Sequence, residues 1–294
     1  MKRGRFSIIL VLFLWAAFSR GTVFADEATG RYIPGALGDF LDISSEQGWS
    51  LLDWYNHFGD SLGGILAKSV SATNDAEMAV AIYTFPCAIW GSRFSPVIGR
   101  AGGRFTSTNL VGDIAIVPFR LGWKSNDFKW GFQLDVYAPT GQYDAGQLAN
   151  PGLNYWTLEP LVSFSYLSRD TGLELSTTAG VDFNTKNNAT DYQSGSVFHL
   201  DATVAEHLPV CDLGLFGAGV NAIYWRQFSP DSGSGAKLGS LETLIAGIGP
   251  IFSYVSPKFY GNHTVIVEVT WLPDLDCSGA LDGDYVWFKA ACEF

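Results

Sequence analysis

Methionine occurs twice and cysteine four times in 294 residues. No two cysteines form a C-x-x-C pair, which leaves a zinc knuckle or a dithiol redox centre without support. A Walker A loop, an H-E-x-x-H helix and a dinucleotide fingerprint are also missing, so the commonest nucleotide, metalloprotease and dehydrogenase chemistries have no footing. Positive charge is scarce: 18 Lys and Arg stand against 29 Asp and Glu, a net charge of −11. Such a balance argues against nucleic acid and anionic headgroups as partners. Beyond the first 25 residues no stretch of about 18 uncharged apolar residues occurs, which excludes a bundle of membrane-spanning helices. No cofactor and no metal ligand set are expected.

The chain is instead rich in aromatic residues (15%) and glycine (33 residues). That mixture, with few helical patterns, suits an all-β protein. Its start reads as an export leader: Lys2, Arg3 and Arg5 precede a mostly apolar stretch from Phe6 to Phe18, and Val23, Phe24 and Ala25 make a cleavage site before Asp26. Cleavage there removes four basic residues (Lys2, Arg3, Arg5 and Arg20) and no acidic one, shifting the charge from −11 to −15. Export permits disulfides, and Cys87, Cys211, Cys277 and Cys292 allow three pairings.

Period-two alternation fills most of the rest. At the far end Val286, Phe288, Ala290, Cys292 and Phe294 oppose Tyr285, Trp287, Lys289, Ala291 and Glu293. In 128–138, Phe128, Trp130, Phe132, Leu134 and Val136 oppose Lys129, Gln133, Asp135 and Tyr137. In 197–207, Phe198, Leu200, Ala202 and Val204 oppose His199, Asp201, Thr203 and His207. One face is greasy and the other carries charge in mid-strand, with aromatics at the ends, as in a barrel of the bacterial outer membrane. A soluble β-sandwich also alternates, but it keeps its charged face in water.

Twelve strands are predicted, at 49–58, 79–90, 93–105, 112–124, 128–138, 155–168, 171–183, 195–207, 211–226, 238–255, 260–272 and 282–294. Alternation is weak in the third, ninth and tenth, which leaves ten or fourteen strands open. Connections alternate between short ones (91–92, 125–127, 169–170, 208–210, 256–259) and mostly longer ones (59–78, 106–111, 139–154, 184–194, 227–237, 273–281). Short inner turns and longer outer loops are the pattern of such a barrel. Pro118, Pro160 and Pro250 demand bulges or weakly paired positions. The expected division is a signal peptide at 1–25, a periplasmic lead-in or lumen segment at 26–48, and a transmembrane antiparallel barrel of about 12 strands at 49–294.

Residues 31–40 (RYIPGALGDF), 111–123 (VGDIAIVPFRLGW), 134–143 (LDVYAPTGQY), 148–160 (LANPGLNYWTLEP), 181–185 (VDFNT), 190–195 (TDYQSG) and 229–236 (SPDSGSGA) resemble an outer-membrane transporter-like family named for the meta-pathway of phenol degradation. The resemblance runs over most of the chain. It implies an outer-membrane location and transport, without fixing a substrate and without a catalytic residue set.

A twelve-stranded bore lies between filled eight-stranded barrels and open porins. By parity its wall carries Asp135, Tyr137, Glu159, Glu174, Asp182, His199, Asp201, Glu242 and Glu268, with Arg120, Lys129 and Lys289 as counter-charges. The loops at 150–156 and 191–195 add Tyr155, Trp156 and Tyr192, rings suited to an apolar or aromatic cargo at an outer mouth. The bland alternative for each is structural: lumen charges pair to fill a barrel, and aromatics anchor interfaces. The functional expectation is passive or facilitated passage of a small hydrophobic or aromatic solute. Outer-membrane lipid, periplasmic chaperones and the barrel-assembly machinery are the expected partners. Two other classes compete. One is a non-conducting structural barrel. The other is a barrel lipid hydrolase, with His199 and Asp201 as base and orienter and Ser163 or Ser176 as nucleophile. The acidic loops at 231–235 and 274–284 lack the EF-hand spacing and read as solvated loops.

Overall fold

The computed structural model describes residues 47–60, 73–86, 88–89, 92–95, 97–105, 108–145, 150, 152–210, 214–236, 242–259, 263–273, 276–278 and 283–293. The signal-peptide expectation and nearly all of the 26–48 segment lie outside them. The described residues contain no helix. The strands are β1 (Gly48–Asp60), β2 (Thr73–Thr84), β3 (Ala88–Ile89), β4 (Ser92–Phe94), β5 (Val97–Phe105), β6 (Thr108–Ser125), β7 (Phe128–Ala138), β8 (Thr157–Leu167), β9 (Leu173–Asn184), β10 (Val197–Val210), β11 (Gly214–Gln227), β12 (Leu244–Phe259), β13 (His263–Leu272), β14 (Asp276–Ser278) and β15 (Gly283–Glu293).

Twelve of these close into a ring of antiparallel neighbours: β1, β2, β5 to β13, and β15, which pairs back onto β1. Closure answers the hazard of the apolar final strand. β15 is hydrogen-bonded to β13 on one side and to β1 on the other, from Ser50↔Glu293 to Asp60↔Gly283, so neither edge is open. The weakly alternating segments do form strands, so the ring among the described residues has twelve.

Burial follows the pleat. Along β9, Glu174, Ser176, Asp182 and Asn184 are buried, whereas Leu173, Leu175 and Phe183 are exposed. Ile116, Phe119, Trp130, Phe132, Val162, Phe164, Val204, Val220, Ile248, Phe252, Val267 and Phe288 continue this exposed apolar face around the outside. Such a surface is stable against lipid and aggregates in water. Aromatics gather on it at the short-turn rim: Trp49 against Tyr83, Phe85 against Phe94, Phe128 against Tyr166, and Phe216 against Phe252. Trp156, Phe183, Phe198 and Tyr224 stand toward the opposite rim.

The prolines interrupt pairing. Pro118 falls in the register shift between Ile116 and Phe119. Pro160 pairs toward β7 and sits in a gap of the β8–β9 ladder. Pro250 pairs with β11 just before the β12–β13 ladder begins at Ile251.

Several boundaries depart from the sequence reading, and β2 already begins at Thr73, within the expected loop at 59–78. The second strand ends at Thr84 rather than residue 90, because β3 and β4 fold into a small hairpin on the inner rim instead of a two-residue turn. The expected loop at 106–111 is mostly strand, since Phe105 pairs with Thr108. β12 begins at Leu244 rather than 238, and its outer end pairs with β14. Cross-strand pairing, not local alternation, sets each of these ends.

Candidate functional site

Inside the ring the two walls differ. The wall from β11 round to β6 carries two apolar clusters beside buried polar side chains such as Asn56, Asn221, Glu268 and Lys289. Val197, Ile223, Trp225, Ile245, Leu272 and Trp287 form one buried cluster, with Trp54 and Tyr285 against it. Leu52, Val80, Ile82, Val117, Ile266 and Ala291 form a second, nearer the short-turn rim.

The wall from β7 to β10 is polar. Asp135 is paired with Glu159, and the flanking pairs Leu158↔Phe183 and Leu161↔Gly180 set Glu159 beside Asp182. Three carboxylates therefore stand side by side across three strands. His199 lies opposite Gly180, one step away from Asp182. Its Nε2 is 2.6 Å from Glu159 Oε1 and 3.8 Å from Asp182 Oδ1. Tyr137 Oη donates to Glu159 Oε2 at 2.9 Å, and Gln133 Nε2 donates to Asp135 Oδ1 at 2.9 Å. Glu159, Asp182, His199 and Asp201 are at most 1% exposed, while Asp135 and Tyr137 are half-buried.

A second polar knot lies toward the short-turn rim. Glu174 takes His207 Nε2 on one oxygen and the Ser176 hydroxyl on the other, and Ser176 Oγ is 3.0 Å from Ser165 Oγ. A third lies on the other wall, across β13 and β15: Lys289 Nζ is 2.7 Å from Glu268, which also accepts from Thr270 Oγ1. Buried charges of this kind persist only when paired and hydrogen-bonded.

The outer loops are pinned by buried polar side chains. Asp113 Oδ1 and Oδ2 accept from the backbone N–H groups of Gly141 (2.7 Å) and Leu153 (3.0 Å). Gly141 and Gly152 pack so closely that a Cβ on either would meet the other's backbone at 2.8 Å. Asn187 Nδ2 donates to Tyr143 Oη, and Asn187 Oδ1 accepts from Asn154. Asp231 accepts from Gly195 N and Gln227 Nε2, tying 185–196 to 228–236. Asp191 pairs with Lys186 and accepts from Ser234 N. Hydrogen bonds from Lys186, then from Ser234, hold its carboxyl well below the usual carboxylate range.

Of the residues singled out in the sequence, Asp135, Tyr137, Glu159, Asp182 and His199 come together, and Asp201 lies two residues along the same face. Glu174 belongs to the separate His207 knot. Tyr155 and Tyr192 are 2% and 7% exposed, so the structure packs them inside rather than presenting them at an open mouth. Trp156 points outward. Glu242 is corrected most plainly: it precedes β12 and is exposed, because the strand starts later than alternation suggested. Ser163 Oγ bonds Thr178 Oγ1, Ser176 bonds Glu174, and His199 turns to Glu159. Sequence reasoning missed the grouping of Glu159, Asp182 and His199, whose nearest ligand atoms all lie within 4.8 Å of one another. Among the cysteines, Cys292 is a free thiol, half-buried on the outward face, and Cys87 and Cys211 lie outside the described residues.

A closed twelve-stranded antiparallel ring, apolar outside and polar-lined within, is a β-barrel of the outer-membrane type. The chain belongs to the family described as "Putative MetA-pathway of phenol degradation", whose sequence profile matches residues 58–289. Its fold is similar to that of an outer membrane channel from Pseudomonas putida F1, with a TM-score of 0.68 at 11% identity over 90% of this chain and 100% of that one. More distant likenesses are the β-domain of the Bordetella autotransporter BrkA (TM-score 0.49, 8% identity, 85% of this chain and 100% of that one) and the TodX monoaromatic hydrocarbon channel (0.38, 9%, 85% and 91%). No curated protein matches the sequence.

Proposed function

We propose that this barrel is an outer-membrane channel through which small hydrophobic or aromatic compounds cross by passive or facilitated diffusion. The observation that carries the reading is the two-sided lumen. Trp54, Trp225, Trp287 and Tyr285 lie on one wall, opposite the hydroxyls and carboxylates of β7 to β10. A phenol-like solute has an apolar ring and a polar substituent, and such a lumen matches both. The family description, which refers to phenol degradation, and the likeness in fold to an outer membrane channel support the same reading. Excess buried carboxylate on the polar wall disfavours small anions. Side chains at several heights are almost fully buried, which favours a narrow, facilitated route over a wide aqueous pore.

The test is reconstitution. Purified protein in liposomes should speed entry of a labelled monoaromatic compound over empty liposomes, with small conductance in planar bilayers. Absence of both conductance and uptake would leave a structural barrel. Turnover of phospholipid or lipid A that disappears in His199→Ala would instead establish a hydrolase.

A further inference from the structure

We infer that Glu159, Asp182 and His199 form a binding site for a divalent transition-metal cation on the polar wall of the lumen. The three ligand groups come from consecutive strands β8, β9 and β10, are almost fully buried, and offer one nitrogen and two oxygens within 4.8 Å. Ligand atoms around a cation held at about 2.0–2.2 Å stand roughly 3 Å apart. The observed separations of 2.6 and 3.8 Å from His199 Nε2 bracket that spacing, so shifts of under an ångström bring the groups onto one ion.

Further observations point the same way. Glu159 Oε1 is buried with no aligned hydrogen-bond partner despite its nearness to Nε2, so its lone pairs are aimed into the cluster. Tyr137 donates to the other oxygen, Oε2, and so orients the carboxylate as an outer partner of a ligand would. Gly180 leaves room for the ring: a Cβ there would stand 2.4 Å from His199 Nε2. The carboxylates of Asp135, Glu159 and Asp182 stand in one cross-strand row, where like charges destabilise a sheet and a cation among them would relieve the repulsion.

An imidazole with two carboxylates suits the zinc, cobalt and nickel class better than calcium or magnesium, which prefer all-oxygen sets. The bound ion would fasten three neighbouring strands and offset the row of negative charge. This inference does not depend on what solute crosses the barrel.

The experiment uses the full chain, folded in detergent, stripped with a chelator and titrated with Zn²⁺ alone by calorimetry. Co²⁺ absorption serves as a second readout. Wild type should take up one ion per barrel, and Co²⁺ should give ligand-field bands. Glu159→Gln, Asp182→Asn and His199→Ala should each weaken binding at least tenfold. His207→Ala, in the separate Glu174 knot, should leave it unchanged. Heat-modifiable migration on gels reports folding for every variant. The two near-isosteric substitutions keep the test decisive if His199→Ala does not fold. No uptake by wild type at millimolar Zn²⁺, or equal affinity in folded Glu159→Gln and Asp182→Asn, overturns the site.

Discussion

Gly180 on β9 lies so close to the imidazole of His199 on β10 that a Cβ at that position would stand 2.4 Å from Nε2. The glycine is therefore part of the polar wall although it contributes no polar group. Gly180→Ala should push the ring away from Glu159 and cost about 1–3 kcal/mol, as overpacking does. Urea unfolding of the detergent-folded barrel measures it, and an unchanged midpoint would show that the ring has room to move.

Lys289 and Glu268 face each other directly across β15 and β13. Lys289→Met takes away the ammonium 2.7 Å from a fully buried carboxylate and should cost about 3–5 kcal/mol. Adding Glu268→Gln should restore most of the loss. A double-mutant cycle on unfolding free energies is the measurement, and simple additivity would mean the two groups are not coupled.

Asp113 holds the loop between β7 and β8 through two backbone N–H groups. Hydrogen bonds to a charged group are worth about 1.5–3 kcal/mol each. Asp113→Ala should expose residues 139–156 to limited proteolysis and raise channel conductance, with Asp113→Asn intermediate. Equal cleavage rates would show that the glycine packing alone holds the loop.

Asp191 lies in an outer loop, clear of the membrane-facing strands. Lys186 and Ser234 lower its folded-state pKa below the unfolded value of about 3.9. The sign follows from linkage. The contribution to loop docking is complete above the unfolded value and is lost as pH falls through the folded one. Hydrogen exchange at the Ser234 amide should be slower in wild type than in Asp191→Asn at pH 7, with the gap narrowing as pH drops below about 4. A gap independent of pH would remove the carboxylate from the explanation.

Val162 is 57% exposed at the middle of β8. If lipid surrounds this band, Val162→Lys should cost about 2–4 kcal/mol of folding free energy in bilayers. Folding yield and unfolding in lipid vesicles report it. No penalty would mean that the exposed face does not contact hydrocarbon.

About twelve strands and their inward and outward faces were legible from residue order, but not the β3–β4 hairpin within the 85–96 connection or the two-residue connection at 106–107. Period-two patterning is a local property, and a barrel imposes it on every strand. Glu242 was misread for the same reason: alternation has no sharp end, and only pairing with β11 and β14 shows that β12 starts at Leu244. The motifs at 111–123, 134–143, 148–160, 190–195 and 229–236 were recognisable as strings. Their physical role in pinning the outer loops through Asp113, Asn187 and Asp231 depends on partners dozens of residues away.

The sequence by itself determined that Glu159, Asp182, His199 and Asp201 face the interior, because parity along a strand leaves no other choice. Tertiary structure decided which of them meet. Sequence proximity suggested His199 with Asp201, a two-residue spacing that does bring Gln133 to Asp135, but the ladder sets His199 Nε2 2.6 Å from Glu159 on another strand. Neighbours across a ladder stand about 5 Å apart. The gap left by Gly180 lets the imidazole reach past Asp182 to Glu159, two strands away.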